Sequence, residues 1–272
     1  MKASGHPHTT HRTVDTRWAA VGDPRTDLAG WVRTVVEGGA RIASVSLPAD
    51  GIVGPALSRL AQDAFAQALD ALPGAPARVW GFLPRPTDHD GEALERYMRF
   101  NAGRTAAYRA MSERIRVIPA GTCVGHAGAN LVVHALWVPG TLAPIENPRQ
   151  RPAWLYSDRY GPVPPAFTRA MSVGGTLIAS GTASVVGEAS MHPGDLDAQC
   201  AETLRNLDAL AAAGGARGPW RSLQAYVRDA AHLDAVRAWG ERSFPGELER
   251  VLHAPLCRAD LLVEIEGVAD AA

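Results

Sequence analysis

The sequence predicts an α/β (α+β) fold of two tandem units, each a mostly antiparallel sheet backed by helices on one face. Three observations point there. The order strand, helix, strand, helix, strand occurs twice, with corresponding elements about 140 residues apart and negligible identity between the copies. A proline-rich stretch separates the two copies. The chain has 272 residues, 46% of them hydrophobic, enough for one large domain or two small ones with a real core. Amphipathic strands and helices in that order bury their apolar faces best as packed layers.

In the N-terminal half an apolar strand is expected at 41–47. A helix follows over 55–72, closed by Pro73-Gly74. RVWGFL at 78–83 reads as a strand, 92–111 as a helix, and the alternation at 114–118 as a further strand. The stretch 144–165 holds Pro144, Pro148, Pro152, Pro162, Pro164 and Pro165. Proline blocks helix interiors and central strands, so this stretch is an ordered connection. The expected organisation is 1–143, a connection at 144–170 that contributes to the functional site, and 171–272.

In the C-terminal half a strand of small residues is expected over 172–184. His192-Pro193-Gly194-Asp195 is a turn whose Asp is placed to cap a helix over 195–213, which Gly214-Gly215 ends. LQAYVR at 223–228 reads as a strand, 231–239 as a helix, and 261–268 as a strand, apolar except for Glu264, Glu266 and Gly267. A one-residue slip in any strand would turn its apolar face to solvent.

The formal net charge of −1 argues against nucleic acid or an anionic membrane as partner. No apolar run reaches the ~18 residues that span a bilayer, and the polar start has no secretory h-region, so a cytoplasmic protein is expected. His6, His8 and His11 read as part of a frayed tail. Cys123, Cys200 and Cys257 are few and widely spaced, which argues against a disulfide framework and a cysteine-rich zinc site. His126 and His134 fit no metal-ligand spacing, so no metal is expected. The glycine-rich 121–128 lacks the strand–GxGxxG–helix context of a dinucleotide site, and Thr182 and Ser184 lie in no GxSxG elbow. No cofactor is expected. All basic residues but Lys2 are Arg, so an anion site must use Arg, backbone amides or hydroxyls.

Several segments together resemble the chorismatase family. These are YMRFNAGR (97–104), IENPRQ (145–150), Tyr160-Gly161-Pro162, FTRA (167–170), SGTASVVG (180–187) with His192-Pro193-Gly194-Asp195, and CRADLLVEIEG (257–267). The similarity runs from about Tyr97 to Val268, and residues before about Glu92 do not match clearly. The chain is also shorter than typical members, and the loop Val163-Pro164-Pro165-Ala166 replaces a more polar one. The SGTAS and EIEG segments by themselves mark the wider RidA/YjgF superfamily. That resemblance implies two tandem RidA/YjgF-like units, each a sheet backed by two helices, in a pseudo-trimer-like core. A monomer is expected, because such halves fill each other's interfaces.

The resemblance also implies an activity: cleavage of the enolpyruvyl ether of chorismate to pyruvate and a cyclic acid. An enol ether opens when its terminal methylene is protonated, so the site needs one general acid and groups that bind two carboxylates. From spacing alone, Glu264 and Glu266 share a strand face, either in a common pocket or on a solvated edge. The first Glu of EIEG, Glu264, is the acid by resemblance. In a shared pocket, burial and the second carboxylate would favour its protonated form. Arg104, Tyr160, Arg169 and Arg228 are the candidate carboxylate ligands, with Thr182 a further candidate contact.

Cys257 matches the branch that forms 3-hydroxybenzoate, in which the substrate's own C4 hydroxyl attacks. The other branch admits water and yields trans-3,4-dihydroxycyclohexa-1,5-diene carboxylate. Two further alternatives are a RidA-like imine deaminase and a non-catalytic ligand-binding homologue. Against the deaminase, Arg258 stands only six residues before Glu264 and the chain is twice the usual length.

Overall fold

Two sheets face each other across an apolar seam, and each carries its helices on the outer side. The computed structural model describes residues 31–37, 39–91 and 94–272; His6, His8 and His11 lie outside the described residues.

The N-terminal unit comprises β1 (Trp31–Glu37), β2 (Ala40–Pro48), α1 (Gly54–Asp70), β3 (Arg78–Phe82), α2 (Arg96–Ala110), β4 (Ala120–Val124) and β5 (Asn130–Trp137). Its sheet runs β1-β2-β5-β3-β4. The connection contributes β6 (Ala143–Ile145) and two single 3-10 turns, Ala153–Leu155 and Asp158–Tyr160. The C-terminal unit comprises β7 (Ala170–Val173), β8 (Thr176–Ala183), a small hairpin of β9 (Val185–Val186) and β10 (Ala189–Ser190), α3 (Leu196–Ala213), β11 (Ala216–Val227), α4 (Leu233–Ser243), β12 (Leu248–His253) and β13 (Val263–Ala271). Its sheet runs β12-β11-β13-β8-β7-β6. Read from its opening hairpin, that order is β7-β8-β13-β11-β12, the same as in the first unit. The repeat is therefore one of topology as well as element order. Both sheets are mostly antiparallel; β3–β4 and β11–β12 are parallel.

Side-chain periodicity explains the layers. Along α1, Leu57, Ala61, Ala64, Phe65, Ala68 and Leu69 recur at helical spacing and are buried. Gly103 of α2 lets the two helices touch: a Cβ there would stand 2.2 Å from the Ser58 carbonyl oxygen. Asp195 caps α3 as expected, accepting from Ala198 N at 3.0 Å. In β5, Leu131, Val133 and Ala135 face the helices, whereas Val132 and Leu136 face the seam. In β13, Val263, Ile265 and Ala269 face the helices. This leaves Glu264 and Glu266 pointing into the seam.

The structure corrects several sequence expectations. Residues 114–118 are a turn and an irregular segment, not a strand. The alternation there arises because Ile115 and Ile118 pack onto the helix–sheet core while Arg114 donates to the Leu72 and Gly74 carbonyls. The expected strand 172–184 is a hairpin, broken at Gly174 and Gly175, whose φ angles of +57° and +74° suit glycine. The sequence reading missed β1, β4, β5 and β12, and the short strands β6, β9 and β10. No described helix is long and apolar enough to cross a membrane.

Candidate active site

The site is built on the seam-facing side of β13. Glu264 pairs with Ala183 of β8 on one side and Tyr226 of β11 on the other. The β8 ladder is irregular beside it: Ala179 pairs with Gly267 and Thr182 with Ile265, so Ser180 and Gly181 together oppose Glu266. This is a β-bulge, a device that bends a strand and frees an amide from the ladder. Gly181 occupies it for a steric reason, since a Cβ there would stand 1.9 Å from Glu264 Oε1.

Glu264 opens onto a cavity at the edge of the seam. Tyr97 and Met98 from α2 form one wall, and Tyr156, Tyr160, Phe167 and Arg169 of the connection form another. Cys257 and Arg258, from the segment before β13, complete it beside Glu264. Arg169 lies over the rings of Phe167 and Tyr156, at 5.1 and 5.7 Å. Its Nη2 donates to the Arg151 carbonyl at 2.9 Å and to the Tyr156 hydroxyl. Its buried Nε has no hydrogen-bond partner among the described residues. Arg258 stacks on Tyr160 at 4.0 Å and on Tyr156 at 5.2 Å, and its Nη1 donates to the Glu188 carbonyl at 2.8 Å. Two cations therefore flank a carboxyl group in a cavity walled in part by four aromatic side chains.

Burial pushes the Glu264 carboxyl up to about 8, and the Glu266 charge adds to the shift; Arg258, Arg78 and Arg169 oppose it. The group therefore holds its proton at neutral pH, as a general acid must. Burial, with a smaller contribution from Glu264, pushes the Cys257 thiol up to about 12. The sulfur in the cavity is thus a neutral thiol, not a nucleophilic thiolate.

Glu266 is held differently. It is fully buried and accepts from Arg78 Nη2 at 2.5 Å, Thr122 Oγ1 at 2.6 Å, Trp80 Nε1 at 3.0 Å, the Tyr226 hydroxyl at 3.2 Å and Gln224 Nε2 at 3.4 Å. A carboxylate with a cation and four other donors is satisfied as an anion.

Of the residues singled out from sequence, Glu264, Cys257, Tyr160 and Arg169 meet on the cavity. Three do not line it. Thr182 pairs with Ile265 and so shares its helix-facing side; its hydroxyl donates to the Ser180 carbonyl at 3.0 Å. Arg228 is drawn to Asp229, at 2.6 Å, and to the Ala259 carbonyl. Arg104 is buried behind the wall, against the rings of Phe100 and Phe167 at 5.5 and 5.8 Å, with Nη2 on Asn101 Oδ1 at 2.8 Å. Sequence reasoning did not select Arg258, Tyr97 or Tyr156. The first two stand inside the quoted CRADLLVEIEG and YMRFNAGR segments, which was the available signal. Among the described residues no group of three or more His, Cys, Asp or Glu side chains is placed to hold a metal ion.

Comparison with known proteins gives these residues a context. A family model described as chorismatase FkbO/Hyg5-like, N-terminal, matches residues 16–137. The likeness therefore extends through the half in which the motifs before about Glu92 do not match clearly. A 3-hydroxybenzoate synthase of Streptomyces hygroscopicus is 37% identical over 211 residues, 70% of this chain and 62% of its own length. A chorismatase of Streptomyces rapamycinicus is 33% identical over 210 residues, 71% of this chain and 63% of its own. The chain thus spans less than two thirds of the length of these curated relatives. A crystal structure of a chorismatase superposes with a TM-score of 0.75 at 29% identity, covering 88% of this chain and 79% of that one.

Proposed function

We propose that the chain, which is similar to chorismatases in sequence and in structure, cleaves chorismate to pyruvate and 3-hydroxybenzoate. One observation carries the reading. Glu264 presents a carboxyl group that burial keeps protonated, in a cavity where Arg169 and Arg258 stand ready for carboxylates.

Glu264 delivers its proton to the terminal methylene of the enol ether. The side chain becomes an oxocarbenium ion, which weakens its bond to the ring. The ring's neighbouring C4 hydroxyl oxygen attacks the carbon that bears the ether, and pyruvate leaves with the bonding electrons. The hydroxyl proton returns to Glu264. The arene-oxide-like product then opens to the aromatic ring. Substrate and products balance without water.

Arg169 and Arg258 bind the two carboxylates, with Tyr160 beside them, and the connection at 144–170 acts as a wall of the site between halves 1–143 and 171–272. The neutral Cys257 thiol shapes the pocket beside the acid. The aromatic walls of Tyr97, Tyr156, Tyr160 and Phe167 limit the water that would compete with the internal hydroxyl. A single chain is the working unit, since the two sheets cover each other's faces.

The test is incubation of the purified chain with chorismate, with pyruvate read enzymatically and organic acids by chromatography. Pyruvate with 3-hydroxybenzoate is expected. Pyruvate with the dihydrodiol would move the protein to the hydrolytic branch. No pyruvate would overturn the reading.

A further inference from the structure

We infer that Thr122, on β4 of the N-terminal unit, is a positioning residue for Glu264, because its hydroxyl holds both the Gly181 bulge and the Glu266 carboxylate. The inference deepens the reading of Glu264 as the acid and rests on it. A threonine hydroxyl has one O–H to donate and two lone pairs to accept with. Thr122 uses all three. It donates to Glu266 Oε2 at 2.6 Å, accepts from Arg78 Nη2 at 2.6 Å, and accepts from Gly181 N at 2.9 Å. Arg78 also reaches Glu266 at 2.5 Å, so the three side chains close a ring of hydrogen bonds across the seam.

The Gly181 amide gives this ring its purpose. A bulge takes a backbone N–H out of the ladder, and a buried N–H without a partner is costly. Thr122 supplies the partner from the facing sheet. The same Gly181 backbone is the surface against which the Glu264 carboxyl lies, close enough that even a methyl group would collide. Thr122 therefore fixes the wall behind the acid with one bond and the anion two residues along with another. The charged and titratable groups around Glu264 include Glu266 on its own strand, Arg78 from β3, Cys123 from β4, Arg169 from the connection, Arg258 and Cys257 from the preceding segment, Tyr97 from α2 and Tyr226 from β11. Among them, Arg78 and Glu266 are the two that Thr122 touches.

Thr122→Val keeps the shape and removes the hydroxyl. It leaves the Gly181 amide and one Glu266 oxygen each short of a partner. The experiment follows the Glu264 carboxyl by 13C NMR titration of glutamate-labelled protein, with its signal assigned by Glu264→Gln. In the unsubstituted chain the midpoint is expected at about 8. In Thr122→Val it is expected to fall by about one pH unit, a tenfold loss of proton affinity, and Thr122→Ser should restore it. In parallel, kcat on chorismate should fall about tenfold in the Val variant, with KM within about twofold, and recover in the Ser variant.

An unmoved midpoint in folded Thr122→Val, or no rescue by serine, overturns the inference whether or not chorismate is turned over. A midpoint that moves as expected in a chain that releases no pyruvate supports the positioning role and overturns the functional reading alone. If Thr122→Val does not fold, Thr122→Ala is read in the same titration. It removes the same hydroxyl without placing a second methyl against Arg78 and Glu266, and an unmoved midpoint there overturns the inference as well.

Discussion

The central strands of the two units, β5 and β13, occupy the same place in the same topology and present the same face to the seam. On β5 that face carries Val132, His134 and Leu136; on β13 it carries Glu264, Glu266 and Val268. His134 is fully buried, with Nδ1 on Ser44 Oγ at 2.7 Å and its ring edge-on to Phe82. One unit thus uses the position for packing and a local polar pair. The other uses it for two carboxyl groups, one open to a cavity and one enclosed by donors. The first unit reaches Glu266 from β3 and β4, through Arg78, Trp80 and Thr122. A repeated fold lets one copy carry the two carboxyl groups while the other supplies partners to one of them.

The largest test of that contrast is Glu264→Gln, which keeps shape and removes the acid. Turnover of chorismate should fall at least ~100-fold while circular dichroism stays unchanged. In the unsubstituted protein, kcat should decline as pH rises through about 8, because the acid works only while protonated. Glu266→Ala should then separate the two carboxyls. It leaves Arg78 buried without its anion and should cost about 3–5 kcal/mol in urea unfolding.

An effect of comparable size runs the other way. Glu264 loses its proton near 4.5 when unfolded but near about 8 in the fold, so native stability declines as pH rises across that window. Glu264→Gln escapes the decline, and its urea midpoint at pH 9 should exceed that of the unsubstituted chain. Smallest of all, His134→Leu on β5 should leave turnover within about twofold and cost about 1 kcal/mol, the worth of one hydrogen bond. A large loss of activity there would erase the contrast between the two strands.

Much of the architecture was legible in sequence, because helices 55–72 and 195–213 carry strong periodicity and clear ends. The shared face of Glu264 and Glu266 followed from strand alternation, and the resemblance chose Glu264. What stayed hidden depends on tertiary placement. The strand β5 is apolar on both faces because it is covered on both, so it lacks the alternation that marks a half-exposed strand. Arg104, Arg169, Arg228 and Arg258 look alike in a chain with this much arginine. Only the fold shows which guanidinium groups reach the cavity and which are engaged by Asn101 or Asp229. The bulge at Ser180-Gly181 is a matter of register, and no local composition announces where two residues will oppose one.

The donors to Glu266 come from both halves: Arg78, Trp80 and Thr122 from one, Gln224 and Tyr226 from the other. A molecule with one half unravelled would leave that carboxylate with only part of its partners and open the apolar seam to water. Such a partly folded species is expensive, which favours a single cooperative melting transition over stepwise loss of halves. The acid's raised proton affinity then also reports on docking, because it persists only while both sheets stay closed on each other.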